Sequence, residues 1–169
     1  MTPQTTVAPA GGPVHEVFLV PGMLHCASEP TLISTVLGSC VAVCLWDSAR
    51  LIGGVNHFVL PLSRDGDRTP RYGDIAIDRL LQGMGRLGAS TADTTAKLFG
   101  GANVLPYGEN RDTVGDQNVR LAVERLRDQG IRIAARRTGG ESGLFVKFET
   151  WSGAAWVRPV AVTRETAHA

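Results

Sequence analysis

Residues 34–61 have the sequence STVLGSCVAVCLWDSARLIGGVNHFVLP, and this stretch decides the fold of the chain. Two valine-rich apolar runs, 41–46 and 55–60, have the length and composition of β-strands. The polar break between them is typical of a hairpin turn. The stretch therefore predicts an antiparallel hairpin with a cysteine, Cys40, just before its first strand and a histidine, His57, within its second.

The register of this hairpin decides whether the cysteine and the histidine meet. If a two-residue loop closes the hairpin, Asp47 pairs with Arg50 and, counting outward, Cys40 pairs with His57. Directly opposed Cβ atoms lie ~4.5–5.5 Å apart on the same face, so a thiol and an imidazole there could form a hydrogen bond. A bulge or a longer loop would shift this register.

A thiol beside an imidazole has the chemistry of a nucleophile and its base. The imidazole takes the thiol proton, and the resulting ion pair lowers the pKa of the thiol. Backbone N–H groups in the turn at Gly38 and Ser39 are expected to face a developing oxyanion. A hydroxyl, from Ser34 or Thr35, can accept the second imidazole N–H and so fix the tautomer of His57. Asn56 is the weakest candidate for that role, because alternation along a strand turns it away from the histidine.

A structural role competes with this catalytic interpretation. A cysteine within an apolar run is more often a small core residue, and a lone histidine on a strand is more often only hydrogen-bonded in place. The Gly-Ser pair before Cys40 favours catalysis, since a core strand does not need it. Cys26 and Cys44 are interpreted as packed thiols. His25 beside Cys26 does not predict a metal site, which needs three or four placed ligands, and we expect neither metal nor cofactor.

Composition indicates one globular domain in a reducing compartment. Of 169 residues, 43% are hydrophobic and 20% charged, and the net charge of +1 gives no reason to expect nucleic acid as a partner. No apolar run of about 18 residues predicts a membrane helix, and no secretory leader is evident, so we expect a cytoplasmic protein without membrane insertion. Three cysteines without CxxC spacing fit that location. We expect a disordered segment at 1–14, one domain at 15–162 and a frayed tail at 163–169.

The rest of the chain alternates between helical and strand patterns. Apolar residues at helical spacing predict a helix over 74–87, with Asp74 as its cap and Gly88 at its end. A second helix is expected to begin near Gly115 and to end at Gly130. The order of elements predicts an α/β layered sandwich with mixed β-sheet pairing and two main helices. Further strands are expected at 16–20, 31–35, 96–99, 131–135, 144–150 and 155–159.

Three words in the opening stretch, LGSCVAVCL (37–45), GG (53–54) and NHFVLP (56–61), resemble the CheD family of chemoreceptor glutamine deamidases. The words and their spacing together are far more specific than a lone Gly-Ser-Cys. The resemblance extends over most of the chain.

Members of that family use a Cys/His/Thr triad. The resemblance places the nucleophile on Cys40 and the base on His57. It places the third member six residues before the cysteine, on Ser34, where relatives have threonine. Thr35 is adjacent and is kept as a residue that shapes the site.

Two later segments also resemble the family, with departures. The segment AKLFGGANVL is similar to the family's Lys-x-x-Gly-Gly-Ala motif, and its Gly100-Gly101 pair predicts a tight turn near the hairpin. The family's Ile-Gly-x-Arg-Asn word is Val-Gly-Asp-Gln-Asn here, at 114–118, so the arginine is missing. The segment 140–143 lacks an arginine that relatives often have.

The resemblance implies hydrolysis of glutamine side-chain amides on chemoreceptors through a thioester on Cys40. The implied partners are the receptors' cytoplasmic helices and, in some organisms, the phosphatase CheC. Some relatives also hydrolyse receptor methyl esters. Two other hypotheses stay open. One is a thiol peptidase or transamidase acting on other proteins, and the other is a non-catalytic or weakly catalytic chemotaxis module that binds receptors or a CheC-type phosphatase.

Overall fold

In the part of the chain that the structure describes, nine strands form two β-sheets, and two α-helices lie against the larger sheet. We describe the fold from a computed structural model that covers residues 11–104 and 112–161. One sheet has four strands in the order β1-β3-β8-β9, and the other has five in the order β2-β5-β4-β6-β7. The elements are β1 (His15–Leu19), β2 (Leu24–Ala27), β3 (Thr31–Leu37), β4 (Val41–Asp47), β5 (Ile52–Asn56), α1 (Gly73–Arg86), β6 (Thr94–Gly100), α2 (Val114–Asp128), β7 (Arg132–Thr138), β8 (Gly143–Glu149) and β9 (Ala155–Val160).

The pairing within both sheets is mixed, as the sequence predicts. β1 pairs with β3 and β6 with β7 in parallel, and the other neighbours are antiparallel. The α/β layered sandwich with two main helices is therefore confirmed. Across the described residues, no helix combines the length and the apolarity that crossing a membrane requires.

Strand β4 is the centre of the fold because both of its faces are buried. Its odd-numbered residues, such as Val43 and Leu45, pack with the helices in one core cluster. Its even-numbered residues, such as Ala42 and Cys44, pack in a second cluster with residues of the four-stranded sheet. A strand buried on both faces has a continuous apolar sequence, which explains the run at 41–46.

The turn between β4 and β5 differs from the prediction. Asp47 pairs with Ile52, so four residues, 48–51, form the turn and not two. The carboxylate of Asp47 is fully buried and accepts hydrogen bonds from two backbone N–H groups of the turn, from the Arg50 guanidinium and from the backbone N–H of Ser90. This network stabilises the wider turn. The second strand is also shorter than predicted, because β5 ends at Asn56. Beyond it only isolated bridges are found in the predicted range, from Phe58 to Val41 and from Leu60 to Tyr72.

The two helices lie close to their predicted positions, but one predicted cap is wrong. Helix α1 begins at Gly73, and its cap position is Tyr72, not Asp74. The carboxylate of Asp74 lies within the first turn and accepts hydrogen bonds from the backbone N–H of Ile75 and from the backbone N–H and hydroxyl of Ser63. Gly88, with φ of 100°, follows the end of α1 as expected. Thr113 and Asp116 form a capping box at the start of α2.

Other predicted strands are present within one to three residues of their expected bounds, and β2 is an addition that the sequence did not predict. Parts of three predictions lie outside the described residues. These are most of the disordered segment 1–14, residues 105–111 and 162 of the domain 15–162, and the tail 163–169.

Candidate functional site

The histidine is held by backbone contacts just beyond the end of β5. The N–H of His57 donates to the carbonyl of Met23 at 2.9 Å, and its carbonyl accepts from the N–H of Gly22 at 2.8 Å. The residue is 2% exposed. The chain between β1 and β2 therefore fixes where the imidazole lies.

A threonine from the other sheet fixes the tautomer of this imidazole. The Thr35 hydroxyl oxygen lies 2.8 Å from Nδ1 of His57 and 2.8 Å from the carbonyl oxygen of Leu19. A carbonyl can only accept, so the single hydroxyl proton is donated to Leu19. The hydroxyl oxygen then accepts from Nδ1–H of His57, which leaves the lone pair on Nε2. That atom is buried, and no described residue forms a hydrogen bond with it. This is the form of histidine that can accept a proton.

Ser34 does not make this contact. Alternate residues of β3, among them Ile33, Thr35 and Leu37, are buried towards the second sheet, whereas Ser34 lies on the opposite face and is partly exposed. The hydroxyl beside His57 thus lies five residues before Cys40 and not six. The side chain of Asn56 does not bind the imidazole either, because its oxygen accepts from the N–H of Val43 at 2.9 Å.

The cysteine is on the same face as the histidine but not directly opposite it. Val41 pairs with Phe58, so Cys40 lies opposite Val59, and His57 lies opposite Ala42. The predicted direct opposition is wrong because the turn is two residues longer than expected. Cys40 and His57 are diagonal neighbours, a relation in which residues on adjacent strands are ~7–8 Å apart and an aromatic side chain such as that of histidine can still reach across.

Two glycines at the end of β6 enclose the Cys40 turn. The N–H of Gly101 donates to the carbonyl of Cys40 at 2.8 Å, and the N–H of Ala102 donates to the carbonyl of Gly38 at 2.9 Å. A Cβ atom on Gly100 would collide with the Cys40 carbonyl, and this glycine has φ of 106°. The site therefore needs glycine at position 100 for both space and backbone conformation.

A buried asparagine on α2 contacts both halves of the site. Its Nδ2 atom, on Asn118, donates to the carbonyl of Ser39 at 3.1 Å and to the carbonyl of Val59 at 2.9 Å. The sequence predicted no role for this residue, although it matches the final asparagine of the family word at 114–118. A usable signal was its spacing from Gly115 and Ala122, which puts a polar side chain on the inward face of the helix.

Burial keeps both reactive groups neutral in the free protein. Burial raises the pKa of Cys40 to about 11, against the lowering effects of its own backbone N–H and of the Arg71 charge. Burial also lowers the pKa of His57 to about 4. The thiolate–imidazolium pair expected from the sequence is therefore not the resting state. Cys26 also has its pKa raised to about 11 by burial, so resting acidity does not distinguish it from Cys40.

The described residues contain no cluster of three or more His, Cys, Asp or Glu side chains that could hold a metal ion. Cys44 is fully buried between the sheets and belongs to the core.

The fold and the site define a class of protein: a two-sheet α/β sandwich in which a threonine-bound histidine and a cysteine lie on adjacent segments of one sheet. The chain belongs to the CheD family. A family model described as "CheD chemotactic sensory transduction" matches residues 59–159.

Two relatives support this membership. The chain is 54% identical over 143 residues to the "Probable chemoreceptor glutamine deamidase CheD" of Rhodospirillum rubrum, covering 85% of this chain and 81% of that protein. It is 42% identical over 156 residues to "Probable chemoreceptor glutamine deamidase CheD 1" of Anaeromyxobacter dehalogenans, covering 92% and 91%. A crystal structure of the Bacillus licheniformis protein YfiH overlaps 67% of this chain and 51% of its own at a TM-score of 0.41 and 15% identity, too low a similarity to carry a conclusion.

Proposed function

We propose that this protein is a cysteine-dependent hydrolase that converts glutamine side chains of chemoreceptors to glutamate in bacterial chemotaxis. Its family and the names of its relatives support the substrate and the reaction. The observation that carries the proposal is the hydrogen bond from His57 Nδ1–H to Thr35, because it leaves Nε2 as a proton acceptor on the face that Cys40 shares.

Attack begins from the neutral pair. When a glutamine carboxamide reaches Cys40, Nε2 of His57 takes the thiol proton as the sulfur attacks the amide carbon. The C=O electron pair moves to oxygen and gives a tetrahedral oxyanion. Proton transfer accompanies attack and does not precede it, because burial disfavours a charged thiolate and a charged imidazolium before the substrate is present.

The oxyanion needs donors that are already oriented. No described residue accepts a hydrogen bond from the backbone N–H of Ser39 or Cys40. These two groups belong to the Gly38-Ser39-Cys40 turn and are the proposed oxyanion donors. Gly100 and Gly101 support the turn from the adjacent strand.

Collapse of the tetrahedral intermediate completes the first half of the reaction. Protonated His57 gives its proton to the leaving nitrogen, the C–N bond breaks, and ammonia leaves a thioester on Cys40. His57 then takes a proton from water, which attacks the thioester. The C–S bond breaks, the sulfur recovers a proton, and glutamate is released. Receptor glutamate methyl esters would follow the same acyl chemistry with methanol as the leaving group.

The product carries one negative charge where the substrate had none. On a receptor's helical bundle, that charge alters packing and signalling bias. The proposed partners are therefore receptor cytoplasmic helices, with a CheC-type phosphatase as a second partner, and the proposed site of action is the cytoplasm.

The test is ammonia release from a purified receptor cytoplasmic fragment, with mass spectrometry of its glutamines. We expect turnover by the wild type and by Cys44→Ala, and none by Cys40→Ala. Amine transfer or backbone cleavage without deamidation would indicate a thiol enzyme of another kind. Receptor binding without any turnover would indicate a binding module.

A further inference from the structure

Asn118 joins the two segments that carry the reactive groups. Its Nδ2 atom donates to the carbonyl of Ser39, which directly precedes Cys40, and to the carbonyl of Val59, which lies two residues after His57. Val59 also lies opposite Cys40 in the register of the hairpin. One fully buried side chain on a helix thus bridges both sides of the site.

The bond to Ser39 has a consequence for the next N–H group. A trans peptide holds its carbonyl and its N–H on opposite sides, and no peptide in the described chain is cis. Because Asn118 holds the Ser39 carbonyl on the helix side, the N–H of Cys40 is turned away from the helix. This N–H belongs to the same residue as the reactive sulfur, so it is available beside the nucleophile on the side of the turn away from α2.

The same arrangement recurs one peptide earlier. The N–H of Ala102 donates to the carbonyl of Gly38 at 2.9 Å. In the trans peptide that joins Gly38 to Ser39, the N–H of Ser39 therefore points away from Ala102. Two consecutive carbonyls of the turn are therefore held, one by the backbone of Ala102 and one by the side chain of Asn118. Of these two donors, only Asn118 can be removed by changing a side chain.

Packing alone does not explain an asparagine at this position. The neighbouring inward residues of α2 are small or apolar, among them Ala122 and Leu126. The Asn118 oxygen is buried, and no described residue donates to it. An unpaired buried acceptor is destabilising. An apolar residue could not supply the two N–H groups that Asn118 donates to the carbonyls of Ser39 and Val59.

We propose that Asn118 is a positioning residue that orients the Cys40 N–H as an oxyanion donor and holds the nucleophile turn against the segment after β5 that carries the base. The proposal rests on the amide hydrolysis described above. It assigns Asn118 no contact with substrate.

Asn118→Leu tests this role, because leucine branches at the same atom as asparagine and is also neutral, but it has no N–H donor. Asn118→Ala is the second variant, and it has less bulk to place against the two carbonyls. Gln117→Leu is the matched control, since it removes a neighbouring exposed amide whose only hydrogen bond among the described residues is to the carbonyl of Asp112. For both Asn118 variants we expect kcat for ammonia release to fall on the order of 10²-fold, with KM close to wild type.

Alkylation of Cys40 by iodoacetamide, followed by peptide mass spectrometry, separates orientation from general damage. Alkylation needs the sulfur but forms no oxyanion, so we expect its rate in the Asn118 variants to stay within about threefold of wild type while hydrolysis falls. A folded Asn118 variant that keeps its kcat would overturn the proposal. So would a parallel change in alkylation and hydrolysis, or loss of cooperative unfolding in both variants, because Asn118 would then serve only the fold. A wild type that never releases ammonia from the receptor fragment would instead end the proposed function, and this inference with it.

Discussion

Replacing Thr35 by valine should remove the feature on which the proposed chemistry depends most. Valine has the size and branching of threonine but cannot accept the proton of His57 Nδ1 or donate to the carbonyl of Leu19. Without the hydroxyl that accepts its proton, Nδ1 keeps only the backbone carbonyl of Leu19 nearby. The imidazole is then held less firmly in the tautomer that has its lone pair on Nε2, and the histidine takes the thiol proton less effectively. General-base catalysis contributes ~10²–10⁴-fold, and we expect kcat to fall by an amount in that range.

The same substitution should reduce stability by an amount that can be estimated from the structure. Both lost partners are buried, because Leu19 is 1% exposed and His57 is 2% exposed. Each unpaired buried group costs about 1–3 kcal/mol, so for two such groups the free energy of unfolding should fall by about 2–6 kcal/mol. Urea unfolding measures this fall, ammonia release from a receptor fragment gives kcat, and nitrogen NMR of labelled histidine reports the tautomer.

Two matched variants make the prediction specific. Thr35→Ser keeps the hydroxyl and should retain most of the activity. Ser34→Ala removes the neighbouring hydroxyl, which lies on the other face of β3, and should leave kcat unchanged. The reasoning would be refuted if Thr35→Val kept kcat within about threefold of wild type, or if Ser34→Ala lost as much activity as Thr35→Val.

Two further predictions concern the buried histidine and the glycine turn. Burial lowers the pKa of His57 from 6.5 to about 4. Below about pH 6.5 the unfolded chain therefore binds a proton that the folded chain does not. The free energy of unfolding should fall by about 3 kcal/mol as the pH is lowered to 4. Urea unfolding at pH 7 and pH 4 should show this loss in wild type and a smaller loss in His57→Gln; equal losses would contradict the pKa argument. Gly100→Ala should abolish ammonia release and lower the melting temperature, because its Cβ atom would collide with the Cys40 carbonyl. Gly85→Ala lies in α1 and meets no atom within 4 Å outside the helix's own backbone, so it should leave ammonia release unchanged and should not lower the melting temperature, since alanine favours a helix over glycine. A fully active Gly100→Ala protein would show that the turn tolerates displacement.

The sequence predicted the elements of this fold well because their signals are local. Helix α1 has apolar residues at helical spacing and a glycine just beyond its end. Strand β4 has a continuous apolar run because both of its faces are buried. The predicted sandwich with mixed pairing follows from the order of such elements along the chain.

The register of the hairpin could not be predicted from local sequence. Its turn is widened by the buried carboxylate of Asp47, which also binds the backbone N–H of Ser90, 43 residues away. Nothing in the residues of the turn itself indicates that distant donor. The error of two residues moved Cys40 from direct opposition to a diagonal position relative to His57.

The alternation of buried residues along β3 predicts which hydroxyl binds His57 better than the spacing of the family motif does. Counting residues back from Cys40 within a family motif led to Ser34. Alternation along β3 leads to Thr35, because Ile33 and Leu37 are buried and Thr35 shares their face. The resting protonation states depend on burial, which a sequence pattern does not quantify. For that reason, iodoacetamide reactivity near neutral pH does not separate a catalytic Cys40 from Cys26, since burial raises both pKa values to about 11.

Capture of the acyl-enzyme tests the central claim most directly. Wild-type protein is mixed with a glutamine-containing receptor peptide, quenched in acid within the first turnover, digested and analysed by mass spectrometry. We predict a peptide joined to Cys40 through a thioester, with the mass of the pair less one ammonia, and none on Cys26 or Cys44. Deamidated product formed at full rate by Cys40→Ala, or an acyl group found only on another residue, would contradict the account.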